Sequence, residues 1–353
     1  MKIDSVGIVG GGAWGTALAQ SVQRTGREVR IWAREADVVA SINSRHINER
    51  YLPGVKLEPE VRATESLADI AACDAVLMVA PAQHVRDMSE QLKPMLRSGQ
   101  PMVLCSKGIE QSTGRMMGDV VAEVLPDITW AVLSGPSFAA DVVRGLPTAL
   151  TVACADDSVG ALLAERLGNR RLRIYWTDDV IGVELGGALK NVLAIAAGIV
   201  DGRDLGASAH AALVTRGFAE MRRFGEALGA KPETLAGLSG LGDLILTCGS
   251  PQSRNMSLGR LLGQGQSVGQ AMSGRSSVTE GVYTAVAVNR IATEKNIDMP
   301  ICKAVCEVVS GRLTAFSYTH LTLPTIFSCL FSFVDVSLKQ FSHFYFPTRS
   351  LSP

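Results

Sequence analysis

The strongest chemical signal in this 353-residue sequence is a lysine in an unusual setting: Lys190, followed by Asn191, inside the apolar run 185–200. Burying an ammonium without a partner costs several kcal/mol or drives the group to its neutral form. A carboxylate nearby would hold it charged while desolvation pulls its pKa toward neutrality, and that balance suits a proton donor to a carbonyl. Asp243, the only charge within "GLSGLGDLILTC", is the candidate carboxylate. Lys107 in "CSKGIE" follows an apolar run, which puts it at the carboxyl end of a strand, where doubly wound sheets bind ligands. Asn191 could donate a hydrogen bond beside Lys190, and Lys107 could polarise a substrate from the sheet side. Gly135, Ser137 and Ala139 in "LSGPSFAADV" make a turn whose amides and hydroxyl could hold a polar ligand. Ser253, Arg254 and Asn255 in "SPQSRNMS" are consecutive donors leading into a helix. A guanidinium meets phosphate oxygens through two parallel bonds, so Arg254, aided by Asn255, suits a phosphate. Plainer accounts exist for several of these residues: Lys107 as a surface loop residue, Asp243 as a helix cap, 253–255 as a turn without a ligand.

A second signal opens the chain. In "GIVGGGAWGTALAQ" (7–20), Gly10, Gly12 and Gly15 fit GxGxxG directly after a strand and at a helix start. The first glycine permits the tight turn, the second lets backbone approach a pyrophosphate, and the third lets helix and strand pack closely. The helix N-terminus is left aimed at negative charge. An NAD-selective site usually ends its second strand on an acidic residue that holds the ribose 2′-hydroxyl. Here the strand ends "IWAR", with Arg34 where a 2′-phosphate could be met and Glu35 just after. The reading leans to NADP(H) with NAD(H) tolerated, against a plain solvated cation at Arg34.

Those residues need particular elements to carry them. Short apolar runs ("IDSVGIVG", "REVRIWAR", "DAVLMVAP", "QPMVLCSKG", "ITWAVLSGPSF", "PTALTVAC", "LRIYWTD") alternate with helical stretches through the first half. This pattern predicts an α/β domain with a doubly wound parallel sheet of Rossmann type covered on both faces, residues 1–179. From about residue 180 the texture changes to helices joined by Gly/Ser-rich turns, an all-helical domain over 180–312. The run 185–200 holds Lys190 and Asn191 at its centre and is short for a membrane span, so it reads as a buried core helix. Seven of the ten phenylalanines lie in 316–353, where Asp335, Lys339 and Arg349 are the only Asp/Glu/Lys/Arg side chains; residues 313–353 read as an atypical tail outside the fold.

Composition excludes other classes. Thirty-four basic and 34 acidic residues leave no basic footprint for nucleic acid or anionic lipid. The seven cysteines, an odd number, show no CxxC or Cys/His spacing for a metal, and none is expected. Cys302 and Cys306 share a helix face and read as core. With no signal-peptide layout in "MKIDSVGIVGGG", the cytoplasm is the expected compartment.

The strings "GGGAWGTALA", "SKGIE", "SGPSFA", "GLPTAL", "IGVELGGALKNVLAIAAGI", "TRGFAEM", "GLGDLILTC" and "SRN" resemble, in order, the bacterial NAD(P)-dependent glycerol-3-phosphate dehydrogenases. The resemblance runs from about residue 4 to about 312, where family members continue with further helix and this chain enters its phenylalanine-rich tail. It implies a Rossmann domain followed by a helical one, and reduction of dihydroxyacetone phosphate to sn-glycerol 3-phosphate, the backbone of glycerophospholipids. It implies Lys190 as the catalytic acid/base, and Lys107, Gly135, Ser137, Asp243, Ser253, Arg254 and Asn255 as substrate contacts. Ala13 (often serine in the family), Trp14, Arg34, Lys107, Ala139, Arg254 and Glu280 resemble its cofactor contacts, and a homodimer is the implied assembly. Three rival readings are a related two-domain dehydrogenase of the 3-hydroxyacid or 6-phosphogluconate kind, a dinucleotide sensor without turnover, and an enzyme disabled by its atypical tail. "GLGDL" together with "SRN" favours the glycerol phosphate enzymes over the first, and a buried lysine beside a polar cluster is unexplained by the second.

Overall fold

A computed structural model describes residues 2–273 and 279–315. Eight strands form one sheet: β1 (Ser5–Val9), β2 (Glu28–Trp32), β3 (Arg62–Thr64), β4 (Ala75–Met78), β5 (Pro101–Leu104), β6 (Thr129–Ser134), β7 (Thr148–Ala153) and β8 (Leu172–Thr177). Their order is β3-β2-β1-β4-β5-β6-β7-β8. Alternate residues feed two separate cores: Val76 and Met78 of β4 join Met102 and Leu104 of β5 on one face, while Leu77 and Val103 point to the other. Because both faces are covered, these strands read as continuous apolar runs rather than alternating ones.

The sheet departs from the all-parallel expectation at one end. Strands β1 to β6 are parallel, but β7 runs antiparallel to β6, and β8 follows β7. Ser134 pairs with Thr151, so β7 begins beyond the end of β6 and the link from Ser134 to Thr148 has no need to return along the sheet. Its short helix, Ala139–Arg144, packs on helix Ala13–Gln23 and sends Val142 and Val143 into the core on that face of the sheet. The chain therefore re-enters the sheet reversed. The chain order turns from β1 outward to β2 in one direction and to β4 in the other, which opens a crevice beyond the carboxyl ends of β1 and β4.

After β8 ends at Thr177, the 23-residue helix Val180–Gly202 begins, capped by Asp179, whose side chain accepts from Gly182 N. It is long and apolar enough to cross a membrane by composition, but 83% of its most apolar window is buried within the chain. Helices Gly206–Ala227, Asp243–Cys248, Arg254–Gly263, Glu280–Glu294 and Pro300–Val309 surround it. The closest packing is with Arg254–Gly263. A Cβ on Gly198 would lie 2.1 Å from Met256 O, and one on Gly259 would lie 2.1 Å from Ile195 O, so neither helix has room for a side chain there. Cys302 and Cys306 are 0% and 2% exposed in this helical core. Of the atypical tail, residues 316–353 lie outside the described residues.

Candidate active site

Lys190 is held midway along its helix, 7% exposed, and its Nζ donates to Asp243 Oδ1 at 2.6 Å and to Thr247 Oγ1 at 3.0 Å. Asp243 is fully buried and opens a helical turn, which brings Thr247 onto the same face one turn later. The second Asp243 oxygen, Oδ2, accepts from Lys107 Nζ at 2.7 Å, and Lys107 also donates to Gly135 O at 3.2 Å. One carboxylate thus sits between two ammoniums, one from each lobe. Burial pulls Lys190 down to about 8, opposed by the attraction of Asp243 and reinforced by the charge of Lys107.

The small residues before Lys190 explain how the helix comes so near. A Cβ on Gly187 would meet Ser134 Oγ at 2.8 Å and Lys107 Cγ at 3.3 Å, and one on Gly186 would meet Ser239 O at 2.5 Å. Any larger side chain in "LGG" would push the lysine-bearing helix off the sheet end.

Asn191 does something other than the expected donation toward a reacting oxygen. Its Nδ2 donates to Lys107 O at 3.0 Å and to Gly187 O at 3.3 Å, so both amide hydrogens are engaged inside the protein. Its Oδ1 accepts from Asn255 Nδ2 at 2.9 Å, and Asn255 Oδ1 accepts from Gly281 N at 3.0 Å. The relay joins residues adjacent to Lys190, Arg254 and Glu280 to the backbone of Lys107, and so fixes four charged side chains relative to one another. Ser253 is the N-cap of helix Arg254–Gly263, its hydroxyl accepting from Met256 N at 3.2 Å, which leaves the hydroxyl hydrogen to donate elsewhere. Arg254 opens that helix with its side chain exposed, and Glu280 is the carboxylate that acts on its guanidinium. Ser137 Oγ donates to Gly135 O at 3.2 Å.

The glycine loop fits a dinucleotide. Gly10 has φ +123°, a conformation that L side chains rarely adopt, and a Cβ on Gly15 would stand 1.9 Å from Gly10 O. Gly12 caps helix Ala13–Gln23 with no side-chain hydrogen bond, and a Cβ there would meet nothing within 4 Å, so open space lies before an uncapped N-terminus. Trp14 Nε1 is buried with no hydrogen-bond partner among the described residues, and Ala13, Trp14 and Ala139 are half-buried against the same sheet core. Glu280 opens helix Glu280–Glu294 and accepts from Ala82 N at 3.0 Å, while its Oε2 is buried and has no hydrogen-bond partner among the described residues. Arg34 follows Ala33, which packs on Gly11; its side chain is 80% exposed and pairs with Glu35 at 3.2 Å. Among the described residues no group of three His, Cys, Asp or Glu could hold a metal.

Sequence reasoning missed Thr247. The signal was available: it stands four residues after Asp243 in "DLILTC", one helical turn along.

Residues 5–160 match the family described as NAD-dependent glycerol-3-phosphate dehydrogenase N-terminus, and residues 179–318 match the C-terminus of the same family. A glycerol-3-phosphate dehydrogenase (NAD(P)+) of Maricaulis maris is 57% identical over 311 residues, covering 88% of this chain and 93% of its own. One from Parvibaculum lavamentivorans is 56% identical over 306 residues, covering 87% and 92%. The crystal structure of glycerol-3-phosphate dehydrogenase from Coxiella burnetii superimposes with a TM-score of 0.87 at 38% identity, covering 91% of this chain and 99% of that one. The chain belongs to the NAD(P)-dependent glycerol-3-phosphate dehydrogenase family of oxidoreductases.

Proposed function

We propose that the chain reduces dihydroxyacetone phosphate to sn-glycerol 3-phosphate with Lys190 as the proton donor, and that the product enters glycerophospholipid synthesis. The nicotinamide dinucleotide, when bound, supplies the hydride. Gly10, Gly12, Ala13, Trp14 and Gly15 would hold its pyrophosphate end, and Arg34, Ala139 and Glu280 its remaining contacts.

One observation carries the role of Lys190. An ammonium has three hydrogens, and two of them are engaged by Asp243 and Thr247, which leaves one for a substrate oxygen. That hydrogen stabilises the charge that builds on the carbonyl oxygen and then passes to it. With the group drawn down to about 8, proton loss and recovery are both accessible near neutrality. Lys107 adds a second positive charge from the sheet side, and Asn191 acts by fixing Lys107 rather than by touching substrate. Arg254, the hydroxyl of Ser253 and the free N–H of Asn255 gather at one helix N-terminus, a setting suited to the substrate phosphate.

The test is the initial rate of NADPH and of NADH oxidation with dihydroxyacetone phosphate, set beside a 2-oxo acid of similar size. Oxidation that requires the phosphate ester supports the reading. A preference for the carboxylate substrate, or binding of the cofactor with no oxidation by either, sinks it.

A further inference from the structure

The segment that carries Lys107 is fastened from behind by residues that touch no expected ligand. Arg86, on helix Val85–Leu92, donates through Nε to Glu110 Oε1 at 2.9 Å and through Nη2 to Glu110 Oε2 at 3.0 Å. This is a two-pronged pair, and its carboxylate is 9% exposed. Thr113 Oγ1 donates to the same carboxylate at 2.5 Å. One turn earlier, Gln83 Nε2 donates to Ile109 O at 2.8 Å and Gln83 Oε1 accepts from Gln111 N at 2.9 Å. Ile109 itself is fully buried in the core of the helical lobe. The stretch 107–111 is therefore pinned at both ends, by Asn191 and Asp243 on the helical side and by Gln83 and Arg86 on the sheet side.

We infer that Arg86 is a positioning residue: through Glu110 it holds Lys107 against Asp243. This rests on the proposed role of Lys190, because Lys107, held on the carboxylate they share, acts on Lys190 by its charge. The charged and titratable groups that bear on Lys190 are Asp243, Lys107 and the buried thiol of Cys248. Lys107 lowers the affinity of Lys190 for its proton, so letting Lys107 drift from Asp243 raises it.

The experiment measures kcat and kcat/KM for reduction of dihydroxyacetone phosphate against pH, with melting temperature alongside, in Arg86→Lys and Glu110→Gln. Arg86→Lys keeps the charge but cannot span two oxygens. Glu110→Gln removes a distant negative charge, which alone would shift Lys190 downward, so an upward shift there is diagnostic. Both variants should move the alkaline limb up by about half a unit or more, and lower kcat by roughly ten- to a hundredfold, the scale of a small misplacement. Cofactor affinity should be unchanged. Glu123→Gln removes the exposed partner that Arg86 meets at 3.2 Å and should leave the limb in place. Superimposable pH profiles for Arg86→Lys, Glu110→Gln and the natural chain overturn the inference even where melting temperature falls. So does an equal shift in Glu123→Gln. Absence of turnover in the natural chain overturns the proposed function and takes this inference with it.

Discussion

Lys190 Nζ stands 2.6 Å from Asp243 Oδ1, inside a helical lobe where Asp243 is fully buried and Lys190 is 7% exposed. The pair is unusual because it is not closed: Asp243 Oδ2 is also held, at 2.7 Å, by Lys107 from the sheet lobe. Two ammoniums against one carboxylate leave the cleft with an excess positive charge. An isolated buried pair would be electrically satisfied, whereas this arrangement is suited to an anion, which on the proposed assignment is the oxygen that becomes negative during reduction.

Lys190→Ala should leave dinucleotide affinity, read from the fluorescence of bound NADPH, close to that of the natural chain. Turnover should fall by about 10²–10⁴-fold, the usual worth of a positioned acid. The fold should survive, since Asp243 keeps Lys107 as its partner. Turnover within tenfold of the natural chain removes Lys190 from the mechanism.

Asp243→Asn should do more damage to stability than Lys190→Ala. It leaves two ammoniums around a neutral amide, and breaking a buried pair on one side costs about 3–5 kcal/mol. It also has a kinetic signature of fixed sign. On the proposed assignment reduction needs the protonated lysine, so its rate should fall as pH rises through about 8, while oxidation should gain over the same interval. Asp243 raises the proton affinity of Lys190, so its loss moves both limbs to lower pH. Limbs that stay put, or move up, contradict the assignment.

Arg254→Ala should weaken phosphate-bearing ligands selectively. Its position at the first turn of helix Arg254–Gly263 places guanidinium and helix N-terminus together. A lost charge-assisted contact of this kind is worth about 1.5–3 kcal/mol, so KM for dihydroxyacetone phosphate should rise by roughly ten- to a hundredfold. Dihydroxyacetone without its phosphate is the control. Equal losses for both substrates would show that Arg254 supports the site without meeting the phosphate.

Much of this is legible in the amino-acid sequence. The glycine loop, the strand that precedes it and the helix that follows are local features, and local sequence specifies them. Lys190 stood out because burial of an ammonium conflicts with its neighbours, and a conflict of that kind marks a site. What escaped was non-local. Strand β3, Arg62–Thr64, is three residues long and leaves no period to detect. The reversal of β7 depends on where helix Ala139–Arg144 docks, not on the apolar run "PTALTVAC" itself. The Asn191–Asn255–Gly281 relay joins residues 26 and 64 positions apart, and no spacing rule reaches across that distance. Arg86 and Glu110 look like ordinary surface charges until the fold sets them face to face.

Glu220 gives a prediction about stability that is independent of the catalytic cleft. It lies on helix Gly206–Ala227, 2% exposed, and accepts from Ile301 N at 2.7 Å and Cys302 N at 3.1 Å. Helix Pro300–Val309 has no side-chain cap of its own from Met299, so a carboxyl from a neighbouring helix takes that place. Burial pushes Glu220 up to about 7 from the ordinary 4.5, and the two backbone donors pull only part of the way back. The folded chain therefore keeps this proton at pH values where the unfolded chain has released it. The associated stability is full below about 4.5 and is lost as pH rises through 7, about 3 kcal/mol across the window. Glu220→Gln cannot titrate. It should be about 1 kcal/mol less stable at pH 4.5, where one backbone donor loses its acceptor, and should lack this pH-dependent loss. Urea denaturation at pH 4.5, 6 and 8 reads the difference between the two proteins directly, so groups that titrate in both cancel. If natural chain and variant lose stability in parallel from pH 5 to 7.5, Glu220 is ionised in the fold and caps its helix as a carboxylate.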